Sequence, residues 1–222
     1  MLTVLRMTVG DKLILINGSG KEVHAVISAV ENDSVLLDLE GEAVCEAEPK
    51  NRVTLFQCLP KAGKMELIIQ KCVELGIRSI RPVYSKRCVV KPERNENKSA
   101  RYNRVSQEAA KQCGRGVAPE VLPVLKLSEC DFAGFDSVLI AYEGEDEITL
   151  KQALRSLAAE LPENGLSIAI VIGPEGGFEP DEVEFVLKAN RRAASVSLGK
   201  RILRTETAGM AMLAMLMYEL EG

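Results

Sequence analysis

The sequence predicts an α/β protein in which a small all-β unit precedes a larger domain with a mostly parallel sheet. Apolar and polar residues alternate up to about residue 58, and beyond it strand-length and helix-length patterns alternate to the end of the chain. Near that end, two glycine-containing turns each follow an apolar run and precede a helical pattern. With 222 residues, 46% of them hydrophobic, the chain is large enough to bury a sizeable core in one domain or two.

The first 58 residues contain short runs with the period-two pattern of strands. The runs cover Lys12–Ile16, Glu22–Val30 and Ser34–Leu39, and turn signals rich in Gly, Asn and Asp separate them. This pattern is typical of a small barrel or a curled sheet, an architecture that often contacts nucleic acid.

The remaining chain alternates strands and helices. Helices are predicted over residues 65–75, 98–114, 149–161 and 180–190 and from 205 onward, and strands over 79–84, 137–141, 167–172 and 194–198. An extended segment flanked by prolines is predicted over residues 118–124. Gly76 stands where the first of these helices stops, and Pro180 suits the first turn of the fourth. Because strand and helix alternate, the strands are expected to run parallel.

Composition disfavours several classes of protein and site. No apolar run approaches the roughly 20 residues of a membrane helix, and the first residues lack the apolar core of a signal peptide, so we expect a cytoplasmic protein. The six cysteines are never closer than 13 positions, which does not match a zinc site, and His24 is the only histidine. We therefore expect no metal and no histidine-based catalysis.

Charge is distributed unevenly along the chain. The net charge is -4 overall, but residues 1–60 carry -4, residues 61–116 carry +9 and residues 117–222 carry -9. The basic middle segment has two interpretations: a patch that binds a polyanion such as nucleic acid, or a solvated surface whose charges offset the acidic ends. Charge alone does not separate the two.

The two glycine-containing turns predict a ligand site. The first lies within Ile172–Phe178 and the second within Ser197–Ala208. Glycine leaves backbone amides accessible, and the helix that follows offers unpaired N–H groups. Two such turns separated by one helix and one strand would be neighbours at the carboxyl edge of a parallel sheet, where α/β folds bind ligands. A purely structural pair of strand-to-helix connections remains the alternative.

Charged residues accompany the second turn. Arg201 and Arg204 carry guanidinium groups that could bind phosphate or stabilise charge developing on a base. Glu206, in the first turn of the next helix, could take part in the chemistry, cap that helix or pair with Arg204.

Four blocks in a fixed order resemble one enzyme family. They are the two glycine turns with their flanking residues, the Lys61–Gly76 stretch and the Glu108–Arg115 block, and Val4–Met7 with Gly10 and Asp11 extends the likeness to the start of the chain. Together they resemble the bacterial 16S ribosomal RNA (uracil(1498)-N(3))-methyltransferases over essentially the whole chain.

The resemblance implies a fold that periodicity does not show. Residues 1–60 would form an RNA-binding β-barrel related to PUA and OB domains. Residues 61–222 would form a SPOUT methyltransferase domain whose C-terminal backbone is threaded into a trefoil knot, although knots are nearly absent from proteins. Family members usually begin about 20 residues earlier, the length of one or more strands. Two explanations stay open, a barrel shortened at its N-terminus and a misassigned start.

The resemblance also implies the cofactor, the partners and the site. The cofactor would be S-adenosylmethionine, the substrate 16S rRNA or the small ribosomal subunit, and the assembly a homodimer. The cofactor would be enclosed by Ala141, Tyr142, Glu143, Ile172, Gly173, Pro174, Glu175, Gly176, Gly177, Leu198, Gly199, Ile202 and Leu203. Arg204 is the candidate for stabilising charge on the uridine, and Glu206 for orienting Arg204 or receiving the N3 proton. The candidates for phosphate contacts are Lys64, Arg87, Arg101, Arg104, Lys111 and Arg115.

Two other functions remain as alternatives. A non-enzymatic RNA-binding or ribosome-assembly module would use the barrel and the basic segment alone, and would bind RNA without affinity for S-adenosylmethionine. A dinucleotide-dependent oxidoreductase would use the glycine turns, but the G-x-G-x-x-G fingerprint near a first strand is missing.

Overall fold

The structure, a computed structural model, describes residues 7–16, 18–31, 34–61, 63–90 and 96–221. The chain divides into two compact units. The first unit comprises the chain up to Glu48 together with Ala110–Ala118, and the second comprises Pro49–Ala109 with the chain from Pro119 onward. The Val4-Leu5-Arg6 part of the family-like blocks and Ala62 lie outside the described residues.

The first unit contains a three-stranded antiparallel sheet in the order β1-β2-β3. Its strands are β1 (Lys12–Ile16), β2 (Lys21–Val30) and β3 (Val35–Val44). The three strands predicted from the period-two pattern are therefore confirmed, and β3 continues five residues beyond its predicted end at Leu39. Ala25 and Ile27 of β2 are almost fully buried, which marks the face of the sheet that packs inward.

The second unit is built on a seven-stranded sheet in which every pair of strands runs parallel. Its strands are β4 (Arg52–Cys58), β5 (Ser79–Tyr84), β6 (Glu120–Val121), β7 (Leu125–Lys126), β8 (Ser137–Ala141), β9 (Ser167–Ile172) and β10 (Ala193–Val196). Their order is β10-β8-β9-β4-β5, and both β6 and β7 pair with β5. The predicted parallel sheet is confirmed.

Strand β4 occupies the centre of this sheet, which corrects the assignment of residues up to 58 to the N-terminal β unit. Phe56 pairs with Val171 of β9 on one side and with Arg81 of β5 on the other. Every residue of β4 after Arg52 is buried. A continuously buried strand, rather than an alternating one, is typical of a parallel sheet covered on both faces. The division between the units accordingly falls between Glu48 and Pro49, before the boundary near residue 60 that the sequence predicts.

Five helices cover the sheet or connect its strands among the described residues. They are α1 (Lys64–Glu74), α2 (Glu96–Cys113), α3 (Leu150–Ala158), α4 (Pro180–Ala189) and α5 (Thr205–Glu221), and a short 3-10 turn covers Leu127–Glu129. The predicted helices are confirmed, and α3 is shorter than predicted at its C-terminal end. None of the helices in the described part of the chain has the length and apolar character needed to cross a membrane.

Sequence signals set the ends of these helices. Thr149 caps α3 in a capping box with Gln152, and Glu179 forms the equivalent box with Glu182 before Pro180 opens α4. After β10, at one edge of the sheet, the chain returns across it, because α5 packs against α1, α3, β9 and β4. The loops after β4, β8, β9 and β10 are thereby gathered at the carboxyl edge of the sheet.

Candidate functional site

The loop after β8 and the segment after β10 are joined by backbone hydrogen bonds at the carboxyl edge of the sheet. Ser197 forms a parallel bridge with Thr149. The Ser197 N–H donates to the Ile148 carbonyl at 2.8 Å, and the Tyr142 N–H donates to the Val196 carbonyl at 3.2 Å. Tyr142, an expected cofactor contact, thus starts a loop whose far end is fixed to the second glycine turn.

The first glycine turn contacts the same loop after β8. The Gly177 N–H donates to the Pro174 carbonyl at 3.0 Å, which closes the turn after β9. Gly177 has φ +69°, and a Cβ built there would lie 2.8 Å from Oε1 of Glu143. A residue with a side chain would therefore be strained by this φ, and the flexible end of Glu143 would have to move aside. Two predicted cofactor contacts, Glu143 and Gly177, are brought together.

The second glycine turn is open to solvent. Gly199 has φ +110°, and no described atom lies within 4 Å of the position a Cβ would take there. The Ile202 side chain is 85% exposed, which is unusual for a large apolar residue, and Leu203 is half-buried. The Leu198–Leu203 segment consequently presents backbone and apolar surface that a ligand could cover.

An ion cluster joins three segments beside the glycine turns. Lys64 Nζ lies 3.1 Å from Oε2 of Glu206 and 3.6 Å from Oε1 of Glu175. The Lys61 N–H donates to the same Glu175 oxygen at 3.1 Å. The start of α1, the first glycine turn and the first turn of α5 therefore meet at one ammonium group. Lys64, expected to contact RNA phosphate, is already engaged by two carboxylates.

The environment of the cluster keeps both carboxyl groups ionised. Partial burial raises the pKa of Glu206, but its own backbone N–H, the Lys64 ammonium and the nearby Arg204 guanidinium outweigh that effect and hold the pKa below its ordinary value. For Glu175, burial is likewise outweighed by the Lys61 N–H and the Lys64 charge, so its pKa is also lowered. Glu206 is thus an unprotonated acceptor at neutral pH.

Arg204 stands at the entrance to α5. Its side chain is exposed, while its carbonyl accepts the Ala208 N–H at 2.8 Å as part of the first helical turn. Because the helix fixes its backbone and solvent surrounds its guanidinium, the side chain is free to approach a substrate. The structure therefore brings both residues proposed for catalysis, Arg204 and Glu206, to the same helix terminus.

Two buried polar residues next to this site were not predicted from the sequence. Gln57, at the end of β4, donates through Nε2 to Oγ1 of Thr205 at 2.9 Å. Thr205 in turn donates to the Gly173 carbonyl at 2.6 Å. The available signal for Gln57 was a lone amide near the end of an apolar run.

Arg87 ties the loop after β5 to the first glycine turn. Its Nε donates to Oε1 of Glu179 at 2.8 Å, and one terminal nitrogen donates to the Gly176 carbonyl at 3.0 Å. The neighbouring Lys86 pairs with Asp181 at the N-terminus of α4. Arg87, a predicted phosphate contact, thus supports the glycine turn in this structure.

The other predicted phosphate contacts lie in or after α2. Arg104 and Lys111 are exposed, and Arg101 is 69% exposed although its Nε lies 2.7 Å from Oε1 of Glu66. Arg115 is different, because its side chain is only 4% exposed and pairs with Glu48 at 2.7 Å within the first unit. Arg115 is therefore a buried structural ion pair, which corrects its assignment as a phosphate contact.

A cavity of about 360 Å³ lies at the opposite, amino edge of the sheet. Lys50, Asn51 and Gly165, which precede or begin β4 and β9, contribute to its lining together with Leu220 and Glu221 at the end of α5. Asn51 and Glu221 bond to one another there at 2.8 Å. None of the residues predicted for cofactor binding or catalysis lines this cavity.

Family models and known proteins match this chain over nearly its whole length. A family model described as an RNA methyltransferase domain matches residues 47–217, and one described as an RNA methyltransferase PUA domain matches residues 1–40. Ribosomal RNA small subunit methyltransferase E of Bacillus subtilis (strain 168) is 33% identical over 228 aligned positions, which cover 100% of this chain and 87% of that protein.

Two solved structures of methyltransferases are also similar to this chain over nearly its whole length. A ribosomal RNA small subunit methyltransferase E from Neisseria gonorrhoeae, bound to S-adenosyl methionine, is 29% identical with a TM-score of 0.80. The match covers 98% of this chain and 86% of that protein's chain. A putative methyltransferase from Legionella pneumophila, in complex with the cofactor SAM, is 30% identical with a TM-score of 0.80 and the same coverage of 98% and 86%.

Proposed function

Because the chain belongs to the RNA methyltransferase family, whose domain model spans residues 47–217, we propose that it methylates N3 of uridine 1498 in 16S rRNA of the small ribosomal subunit, with S-adenosylmethionine as the methyl donor. The observation that carries the proposal is the meeting of two glycine turns with Arg204 and Glu206 at one edge of the sheet. The relatives named above support the reaction class and the cofactor.

The residues at this edge fit the cofactor. Gly199 stands in open space, so the second turn offers bare backbone to a ligand, and the φ of +69° at Gly177 favours glycine in the first turn. Ala141–Glu143, Ile172–Gly177 and Leu198–Leu203 would hold the cofactor through backbone groups and apolar side chains. When bound, S-adenosylmethionine supplies a methyl group on a sulfonium centre.

The uridine N3 is a weakly acidic imide nitrogen between two carbonyls, so the chain must assist the loss of its proton. The exposed guanidinium of Arg204 would stabilise negative charge on a base oxygen. The Glu206 carboxylate, which is ionised at neutral pH, would receive the proton or orient Arg204. Because N3 lies on the Watson-Crick edge, the base must enter the site unpaired or flipped.

RNA contacts would come first from the exposed basic residues of α2. Arg101, Arg104 and Lys111 present their charges to solvent and could meet phosphates, which makes binding sensitive to salt. Lys64 and Arg87 would have to exchange a carboxylate partner for a phosphate, so their contribution to affinity is expected to be smaller. An RNA-binding role for the N-terminal PUA-like region, as expected for residues 1–60, completes this part of the proposal.

The proposal includes the knot and the dimer implied by the resemblance, and the cytoplasmic location expected from the composition. The return of the chain from β10 to α5, which packs on β4 and β9, supports a threaded C-terminus. Met215 and Tyr218 of α5 are 43% and 82% exposed, which supports a contact between two copies along this helix. Sedimentation of the purified protein tests the dimer, and a monomer that still turns over would contradict it.

The test of the function is mass mapping of methylated nucleotides in 16S rRNA from cells with and without this protein. We expect one N3-methyluridine to disappear when the protein is absent and to return when the gene is restored. An unchanged methylation map would contradict the proposed reaction. Calorimetric titration of the protein with S-adenosylmethionine distinguishes the enzyme from the non-enzymatic alternative. That alternative requires RNA binding without affinity for S-adenosylmethionine.

A further inference from the structure

We propose that Gln57 and Thr205 are positioning residues that fix the Gly173 carbonyl, and with it the first glycine turn, relative to the start of α5. The inference rests on the proposed function, because the turn is assigned there to cofactor binding. It concerns two residues that contact neither substrate nor reacting atoms in that assignment, and that act through the backbone they hold.

The two side chains form a directed hydrogen-bond relay. Gln57 Nε2 donates to the Cys58 carbonyl at 3.1 Å and to Thr205 Oγ1 at 2.9 Å. Thr205 Oγ1 donates its single proton to the Gly173 carbonyl at 2.6 Å. A hydroxyl has one proton to donate, so its bond to Gly173 requires Gln57 to present an N–H rather than an oxygen. The direction of every bond in the relay is therefore fixed.

The relay is buried. Gln57 is 0% exposed and Thr205 is 4% exposed, so neither bond competes with bulk water. Gly209, one turn further along α5, lets the helix approach the amide, because a Cβ there would lie 3.1 Å from Oε1 of Gln57. The helix and β4 are thus packed closely around a polar group in an otherwise apolar interior.

The amide oxygen of Gln57 takes no part in the relay. Oε1 is buried and accepts no hydrogen bond from any described residue. A buried acceptor without a donor destabilises a fold, whereas an apolar side chain of similar volume would not. Local departures from the most stable choice are expected at functional sites. Gln57 contributes to the relay through its Nε2–H group, which donates to Thr205.

The position of Thr205 gives the relay its effect. Thr205 lies between Arg204 and Glu206, and the carbonyl it holds begins the turn that continues to Gly177. The hydroxyl therefore helps to set, together with the Lys64 ion cluster, the distance between the residues proposed for catalysis and the backbone proposed to hold the cofactor. A positional error of about 1 Å in such a site is enough to reduce turnover strongly.

The test compares Thr205→Val, which removes the hydroxyl at nearly constant shape, with Thr205→Ser, which keeps it. We expect Thr205→Val to weaken S-adenosylmethionine binding about tenfold by calorimetry, and Thr205→Ser to bind within about twofold of the wild type. In the cofactor-free protein, Thr205→Val should also increase amide hydrogen exchange in residues 173–177 while the strands of the sheet stay protected. Gln57→Met, which removes the amide donor, should weaken binding similarly.

Wild-type affinity and wild-type exchange in Thr205→Val would overturn the proposal. Uniform loss of protection across the large sheet would overturn it as well, because it would show a general structural role. If the wild-type protein binds no S-adenosylmethionine, the proposed function fails, and the exchange measurement on the cofactor-free variants still decides whether the relay holds the turn.

Discussion

Lys64 Nζ lies 3.1 Å from Oε2 of Glu206, and this pair connects the start of α1 to the first turn of α5. The contact is partly buried, with 28% and 15% of the two side chains exposed, so solvent screens it less than a surface ion pair. Its consequence is chemical as well as structural, since the ammonium helps to keep Glu206 ionised in spite of the burial that raises its pKa.

Replacing Lys64 by Met should therefore shift the pH dependence of methylation. Without the ammonium, the pKa of Glu206 rises, and the carboxylate is protonated at a higher pH than in the wild type. Activity in mildly acidic buffer should fall first, while activity near pH 8 should change by only about two- to threefold. Single-turnover methylation rates between about pH 4 and pH 9 measure the shift.

Lys64→Arg is the matched control, because it keeps the positive charge with a different shape. Its acidic limb should stay close to that of the wild type. If Lys64→Met and the wild type had the same pH profile, Glu206 would not be the group whose ionisation limits the rate.

Exchange of Arg204 for Ala should abolish methylation and leave the fold intact. The side chain is exposed, so its removal should change the free energy of unfolding by less than about 0.5 kcal/mol. Turnover should be lost because no other group in the site takes over the proposed stabilisation of charge on the base. Methyl transfer to small-subunit RNA and thermal melting measure the two effects, and near-normal turnover would rule out the proposed role.

Arg204→Lys sharpens the comparison. Lysine keeps the charge but lacks the planar fork of the guanidinium, so partial activity is expected if charge dominates and almost none if two hydrogen bonds are required. Arg201→Ala, an exposed arginine on the same segment, serves as the control for a general loss of positive charge.

Much of the fold was predictable because its signals are local. The bounds of β5, β8 and β9 match the predicted strands at 79–84, 137–141 and 167–172, since each is a compact apolar run between turn residues. Strand β4 shows what local signals cannot predict. Its apolar run was visible, but its neighbours β5 and β9 come from later in the chain, and no local pattern shows which sheet a strand joins.

The candidate site likewise contains features that were predictable from the sequence and features that were not. The glycine turns and the placement of Arg204 and Glu206 followed from strand-to-helix order and from family resemblance. The Lys64 ion cluster and the Gln57–Thr205 relay did not, because each joins residues more than a hundred positions apart through side-chain geometry. Charge counting treated Lys64 and Arg115 as equivalent to exposed arginines, whereas burial separates them.

Cys88 should be the first cysteine to react with iodoacetamide at neutral pH. A hydrogen bond from the Cys58 thiol lowers the pKa of Cys88, and contacts with Ser85 and the Leu59 backbone outweigh burial to bring it to about 6. Burial raises the pKa of Cys58 well above its ordinary value and that of Cys72 to about 12. Only a thiolate attacks the reagent, so these two cysteines should stay unmodified.

Peptide mapping of the alkylated protein over a pH series measures this order. The rate at Cys88 should rise through about pH 6 and then level, because the thiolate is then fully formed. In Ser85→Ala, which removes one lowering contact, the rise should occur at higher pH. A Cys88 rate that keeps increasing past about pH 8, as for an ordinary thiol, would contradict the thiolate assignment.

Arg104 and Arg115 should give opposite results when each is replaced by a neutral side chain. Arg104 is exposed, so Arg104→Ala should leave the melting temperature unchanged and weaken RNA binding severalfold. The slope of log affinity against log salt should fall by about 0.9 if the residue meets one phosphate. Filter binding or fluorescence anisotropy with a 16S rRNA fragment at several salt concentrations measures it.

Arg115→Met removes the guanidinium from a partner, Glu48, whose side chain is only 20% exposed. Breaking such a pair from one side leaves a poorly solvated carboxylate, so the free energy of unfolding should fall by about 3 kcal/mol. The double variant Arg115→Met with Glu48→Leu should regain part of this loss, since neither charge is then left alone. In protein that remains folded, RNA affinity and its salt slope should stay at wild-type values. A reduced slope of log affinity against log salt, without destabilisation, would instead indicate that Arg115 contacts phosphate.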